Sequence, residues 1–314
     1  KGVLNMNNVK KIGLTALGTA LVASSAYAGD LSVTGAASMT FAGEEGQVKN
    51  NGWSMADSVT MSGSAEMDNG WTVTASYEVD GDDAGLDSRS IKIDMGDQGT
   101  LTFAGHGNSG AVNAVDDMTP TANEEAWAMV TDADGATNGN ATVDNNFTYT
   151  NALTDTLTLD LTYQPSDASN VEGTVEGGIK YTGVEGLTVG MATGENRTAA
   201  AQVDNTAVYA KYAVDAFTIG AQMNESDSST ASADEDFSAW GISYAVSDDM
   251  SVSVNAAQID YENTSKEDQE AMGVSFSYTM GSMTISGSHN EMDNIGGSSS
   301  NDRSAYELNL KFAF

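Results

Sequence analysis

From residue 29 onward the chain alternates apolar and polar residues with period two, in short runs broken by turn-forming residues. Leu31, Val33, Met39 and Phe41 share one phase; Ser32, Thr34, Ser38 and Thr40 share the other. The pattern returns at 59–67, 71–79, 91–95, 101–103, 147–149, 157–163, 179–181 and 187–191, then at 208–212, 217–223, 240–246, 250–254, 272–278, 283–285 and 306–314. Each run reads as a strand with one apolar face, so sixteen runs predict sixteen strands.

The connections carry a second signal. Those after even-numbered runs are tight and rich in hairpin residues, such as 68–70, 96–99, 183–186, 215–216 and 281–282. Those after odd-numbered runs are longer and polar, such as 43–52, 194–205 and 291–301. An even strand count with short turns at one rim and long loops at the other predicts an all-β fold, a 16-stranded antiparallel transmembrane β-barrel over 29–314. Sixteen strands would enclose more volume than Ala, Val and Met side chains fill. The Ser/Thr phase therefore lines water and the Leu/Val/Met phase meets hydrocarbon. Phe41, Trp71, Tyr77, Phe217, Trp240 and Tyr278 are outward aromatics suited to interfacial girdles.

Three stretches break the pattern. The phase is ambiguous over 43–56. Ile259 and Tyr261 fall out of step with 250–254, and a bulge at Ala256-Ala257 is the expected cause. The largest break is 106–145, about forty residues without strand alternation, a length that in a compact domain marks function or disorder. It holds Asp116, Asp117, Glu124, Glu125, Asp132, Asp134 and Asp144 with no Lys or Arg. We read it as a loop folded into the barrel mouth.

Residues 1–28 read as upstream residues and a cleavable signal peptide. Lys10 and Lys11 precede the short apolar stretch 12–23 and a small-x-small site at Ala26-Tyr27-Ala28. Twelve mildly apolar residues are too few for a spanning helix, which needs about 20. Removing this segment takes away three of the 12 basic residues and moves the formal charge from −33 to −36. That surface repels nucleic acid and attracts cations at concave walls. With no Cys there is neither disulfide nor thiolate chemistry.

On these features the chain resembles the Gram-negative general porins, most of all the alphaproteobacterial type. The resemblance rests on the opening Leu31-Ser32-Val33-Thr34-Gly35 and on the long insert after the fifth strand. It rests also on Gly110-Ala111-Val112-Asn113-Ala114-Val115-Asp116-Asp117 and on the closing Phe314. It implies a homotrimer in the outer-membrane lipid, with the third extracellular loop folded inward. It also implies that Phe314 signals to the barrel-assembly machinery.

Strand parity then nominates residues. Asp116, Asp117, Glu124 and Glu125 are candidates for the pore constriction. Lys92, Lys180, Lys211, Glu66, Glu78, Asp94 and Asp160 are candidates for the lumen wall, and inward acids outnumber inward cations. A cation-preferring passive pore for ions and small hydrophilic solutes is the expected function. A substrate-specific channel and a structural or adhesive surface barrel are the alternatives. The resemblance implies an Arg-rich wall opposite the loop, and this chain has few Arg. Asp132, Asp134, Asn138 and Asn140 could offer oxygens to Ca²⁺ but lack an EF-hand register; no other cofactor is expected. His106 reads as a hydrogen-bonding residue at the loop base. His289 lies on the outward phase, weakly compatible with a surface hydrolase, but no enzyme is expected.

Overall fold

A computed structural model describes residues 31–46, 52–81, 86–136, 144–166, 173–196 and 202–314. The expected signal segment, Asn138 and Asn140 lie outside them. The strands are β1 (Leu31–Glu44), β2 (Trp53–Glu66), β3 (Thr72–Asp80), β4 (Leu86–Asp94), β5 (Thr100–His106), β6 (Asn146–Thr154), β7 (Leu157–Gln164) and β8 (Thr174–Val184). There follow β9 (Leu187–Asn196), β10 (Val203–Val214), β11 (Phe217–Ser228), β12 (Glu235–Ser247), β13 (Met250–Tyr261), β14 (Gln269–Met280), β15 (Met283–Asp293) and β16 (Arg303–Ala313). Each pairs antiparallel with its sequence neighbours, and β1 pairs with β16, so the sheet closes with no free edge. Closure satisfies every backbone ladder without water, which hydrocarbon demands. No described helix is long and apolar enough to cross a membrane.

The strands correspond one to one with the sixteen runs, yet many extend further toward the long loops. β11 continues past Met223 with outward Glu225 and Asp227, and β12 starts with outward Asp236 and Ser238 before Trp240. Beyond the apolar band the outward phase has no reason to stay apolar, so alternation fades before the ladder does. The seam is closed at the chain end. The amide of Gly35 donates to the Phe314 carbonyl (2.7 Å) and the amide of Phe314 to the Gly35 carbonyl (2.9 Å). A side chain at Gly35 would put its Cβ 2.6 Å from the Phe314 ring, so glycine is what admits that ring.

Outward positions expose large apolar groups, among them Met39, Val59, Ile91, Leu161, Ile219, Met272 and Leu308. Aromatics pair across strands on this face, Phe217 with Tyr244 at 4.7 Å and Phe103 with Phe147 at 4.8 Å.

The bulge expected at Ala256-Ala257 is not there. β13 pairs with β12 and β14 in unbroken register through this point, from Trp240↔Ala256 to Phe237↔Ile259 and on to Gln269. Ile259 instead keeps the inward phase and is apolar because something dry covers it there. A register shift does occur between Ala245 and Ser247 of β12.

Candidate functional site

Residues 106–136 of the insert enter the barrel and run along its inner wall, held by backbone amides donating to inward side chains. Ala111 N donates to Thr162 Oγ1 on β7 (2.9 Å) and Val112 N to Glu176 Oε2 on β8 (3.0 Å). Met118 N donates to Gln222 Oε1 on β11 (2.6 Å), and Asn224 Nδ2 returns a bond to the Asp116 carbonyl (2.9 Å). Ala122 N donates to Ser253 Oγ on β13 (2.9 Å), and Asn123 N to Ser275 Oγ on β14 (3.1 Å). Asn123 Nδ2 donates to Ser288 Oγ on β15 and to Glu307 Oε1 on β16, both at 2.9 Å. A loop without secondary structure leaves its amides unpaired, and burying them is costly unless acceptors are supplied. The wall supplies acceptors from seven strands, β7, β8, β11 and β13–β16. At the base, His106 Nδ1 and Asp144 Oδ1 approach to 2.6 Å, as the loop-base reading expected.

A small dry core completes the attachment. Ala126 and Val130 of the loop pack with Phe237, Ala239, Ile259, Met292 and Ile295, and Trp127 meets Phe237 edge to face at 5.0 Å. Phe237 and Ile259 are each 2% exposed. Burying such side chains contributes about 1.5–3 kcal/mol apiece. A second cluster joins Val112 and Val115 to Ala192, Ala207 and Tyr209. Tyr209 is inward, a lumen-phase aromatic that strand parity could have found at position 209. The room for its ring comes from Gly190 across the β9–β10 ladder.

The distal end is tied by charge. Arg303 Nη1 lies 2.7 Å from Glu44 Oε1, with the Glu44 side chain 0% and the Arg303 side chain 10% exposed. Thr131 donates its amide to Glu44 Oε1 (3.0 Å) and its hydroxyl to Oε2 (2.6 Å). The carboxylate thus has every oxygen engaged, which is the condition for keeping a charge buried.

The four loop carboxylates separate. Asp117 is exposed and Glu124 and Glu125 are half-buried, whereas Asp116 is buried at 5% between loop and wall. Asp116 is thus a correction to the constriction set: its carbonyl is anchored by Gln222 and Asn224, which turns its side chain away from open solvent. Burial, reinforced by neighbouring Asp117, pushes the carboxyl of Asp116 up from 3.8 to about 7. Burial and Asp117 likewise push Glu125 up from 4.5 to about 7. Burial raises Glu124, with Glu307 and Asp117 adding repulsion; the protein crowded around the otherwise accessible Asp117 desolvates its carboxyl and raises it too, against the pull of Lys211.

The wall residues keep the phase that parity gave them. Lys92 stands opposite Thr74 and Thr102, Lys180 opposite Thr158 and Gly190, Lys211 opposite Thr188 and Gly220. Glu66 and Asp94 both face Thr72, Glu78 faces Thr60 and Ser88, and Asp160 accepts from Thr150 Oγ1 at 2.6 Å. Lys211 lies beside the loop near Pro120, so it does not oppose it from across the bore. Of the two basic residues on β2–β4, Arg89 faces Tyr77 on the outer phase, leaving Lys92 on the inner phase. A basic strip facing the loop is not what these strands carry.

The calcium reading finds no support. Asp134 Oδ2 accepts from Tyr261 OH (2.6 Å), and Asp132 Oδ2 lies 3.7 Å from Arg303 Nη2. Among the described residues no group of three or more His, Asp or Glu could hold a metal ion. His289 is outward, with Nε2 3.6 Å from Glu291 Oε1.

Comparison with known proteins agrees with this geometry. The sequence profile of the Gram-negative porins matches residues 13–284. A search among curated proteins returns no match. Among solved structures, the anion-selective porin of Comamonas acidovorans superposes with a TM-score of 0.71 at 12% identity, covering 91% of this chain and 99% of that one. The trimer form of OmpT, an outer membrane protein of Vibrio cholerae, gives 0.70 at 12%, covering 91% and 100%. A mutant of the Rh. blastica porin gives 0.65 at 15%, covering 91% and 100%. At such identities these likenesses establish the fold; the profile match over most of the chain establishes the rest. This chain belongs to the Gram-negative porin family, channels of the bacterial outer membrane.

Proposed function

We propose that the protein is a passive diffusion pore for ions and small hydrophilic solutes, narrowed by segment 106–145 and preferring cations. The observation that carries this reading is the hydrogen-bonded course of the loop along the inner wall from β7 to β1, which brings Asp117, Glu124 and Glu125 inside the barrel. Glu66, Glu78, Asp94 and Asp160 add negative charge on the same face, against Lys92, Lys180 and Lys211. Fixed carboxylates along a wetted wall raise the local cation concentration. Fold alone does not set the sign, since the Comamonas acidovorans neighbour is described as anion-selective.

The pore works as a homotrimer. Supporting this are the trimer form of the OmpT neighbour and an apolar hollow of about 540 Å³ on the outer face, lined by Met39, Trp53, Met55, Leu310 and Phe312. Phe314 acts as the recognition residue for barrel assembly.

Reversal potentials across a salt gradient in planar bilayers test the reading. Cation preference is expected, and it should fall when Asp117, Glu124 and Glu125 are neutralised together. Clear anion selectivity would refute it. Cross-linking in mild detergent tests the trimer.

A further inference from the structure

One row of the inner wall crosses β10–β15 as Lys211, Gly220, Gly241, Asn255, Gly273 and Asn290, each facing the next in the ladder. Glycine inside a strand packs nothing and has more freedom to lose on folding, so three in one row weaken the sheet. The backbone does not ask for them, since none of the three has the positive φ that favours glycine. On the wall that the loop leaves bare, the one glycine within β2–β4 is Gly63, and it takes the outward phase.

What asks for them is the loop. A Cβ on Gly241 would lie 2.6 Å from both the Pro120 carbonyl oxygen and Thr119 Cγ2. One on Gly220 would lie 2.7 Å from Pro120 Cδ and 2.9 Å from Lys211 Cγ, and only the lysine is flexible enough to yield. One on Gly273 would meet Asn290 Oδ1 at 2.5 Å and Ala126 Cα at 3.0 Å. Hydrogen bonds pin the segment on either flank of Thr119 and Pro120. Met118 N donates to Gln222 Oε1 at 2.6 Å and Ala122 N to Ser253 Oγ at 2.9 Å, which prevents sliding along the wall. A methyl placed beneath residues 119–120 therefore pushes them toward the axis.

Resting on the pore reading above, we propose that Gly220 and Gly241 are positioning residues that gauge the bore. The notch they leave beneath Thr119 and Pro120 sets how far the loop stands out from the wall, and with it the size of solute admitted. Moving the 2.6 Å contact at Gly241 out to the 3.4 Å of ordinary packing displaces the segment by about 0.8 Å for a single added carbon. The same carbon on the bare wall displaces nothing.

Single-channel recording of Gly241→Ala and Gly220→Ala in planar bilayers, with polyethylene glycols of graded length as sizing probes, tests this. Both variants should conduct less than the unaltered protein, and the longest glycol that enters should become shorter. Ser62→Thr adds one carbon to the inward phase of β2, away from the loop, and should change both readings less. Pro120→Ala removes the ring atoms that the Gly220→Ala methyl would strike, so in that background Gly220→Ala should no longer lower conductance. A general loss of stability would not be relieved in this way. Circular dichroism checks that the variants keep their β-sheet; if Gly241→Ala does not assemble, Gly220→Ala with and without Pro120→Ala carries the test. Unchanged or raised conductance in the glycine variants would overturn the gauge, as would a Gly220→Ala loss that persists in full beside Pro120→Ala. In each of those cases conductance steps in the unaltered protein keep the pore reading standing, and absence of those steps would sink both.

Discussion

The two sides of the barrel interior are written in the same period-two code and yet do opposite things. Strands β2–β4 bury no residue at all, and apart from Ala56 their inward phase is Ser, Thr and charge. Strands β11–β15 bury alternate residues, and their inward phase holds Gln222, Asn224, Phe237, Asn255, Ile259, Asn290 and Met292. Hydroxyls and charges are content against water, whereas carboxamides and aromatics are there to hold another piece of protein. One wall faces the bore and the other is a bed for the loop.

The sharpest way to break this contrast is to strip the bed of its apolar residues. Phe237→Ala with Ile259→Ala removes the floor beneath Ala126 and Trp127, and such truncations cost about 2–5 kcal/mol each. Amide exchange over 126–130 should accelerate and open-channel noise should rise. Thr60→Ala on the bare wall should change neither.

Next in size is the charged tie. Glu44→Gln leaves buried Arg303 with only the exposed Asp132, 3.7 Å away, and breaking a buried pair costs about 3–5 kcal/mol. The amide of Thr131 should lose protection while β1 and β16 keep theirs.

A smaller effect is expected from Asn290→Ala. It withdraws the donor to the carbonyls of Glu125 (2.6 Å) and Ala128 (3.0 Å), worth about 1–3 kcal/mol when the acceptors stay buried. Melting temperature against the unaltered protein measures it.

The mildest test is pH. Asp116 and Glu125 hold their protons up to about 7, and as Glu125 ionises cation preference should grow between pH 6 and 8. Because the folded state binds these protons more tightly than the unfolded chain, their contribution to stability is greatest below the ordinary carboxyl range. It declines as pH rises toward 7. Glu125→Gln should flatten the selectivity profile; an unaltered profile would remove Glu125 from the current path.

How much of this was legible beforehand depends on which neighbour a residue answers to. The sixteen strands, their turns and the inward phase of Lys92, Lys180 and Lys211 followed from alternation, because in a closed sheet each residue answers to water or to lipid. Ile259 and Tyr261 were misread as a slip in register for the same reason: apolar residues on the wet phase contradict a rule that assumes nothing else lies inside. That the long acidic insert starting at His106 would fold into the barrel was visible in its length and charge. The burial of Asp116 was not, since it depends on Gln222 and Asn224, about a hundred residues away. The carboxylates considered for calcium were likewise engaged by Tyr261 and Arg303, partners that local spacing could not reveal.

The sequence by itself determined the barrel, since hydrocarbon outside and water inside impose on every strand a two-sided demand that a single residue type satisfies or fails. Tertiary structure alone decided where the loop lies and which of its carboxylates stay in the open. Those depend on acceptors and apolar surfaces contributed by distant strands, and no local pattern encodes a contact between segments brought together only when the ring closes.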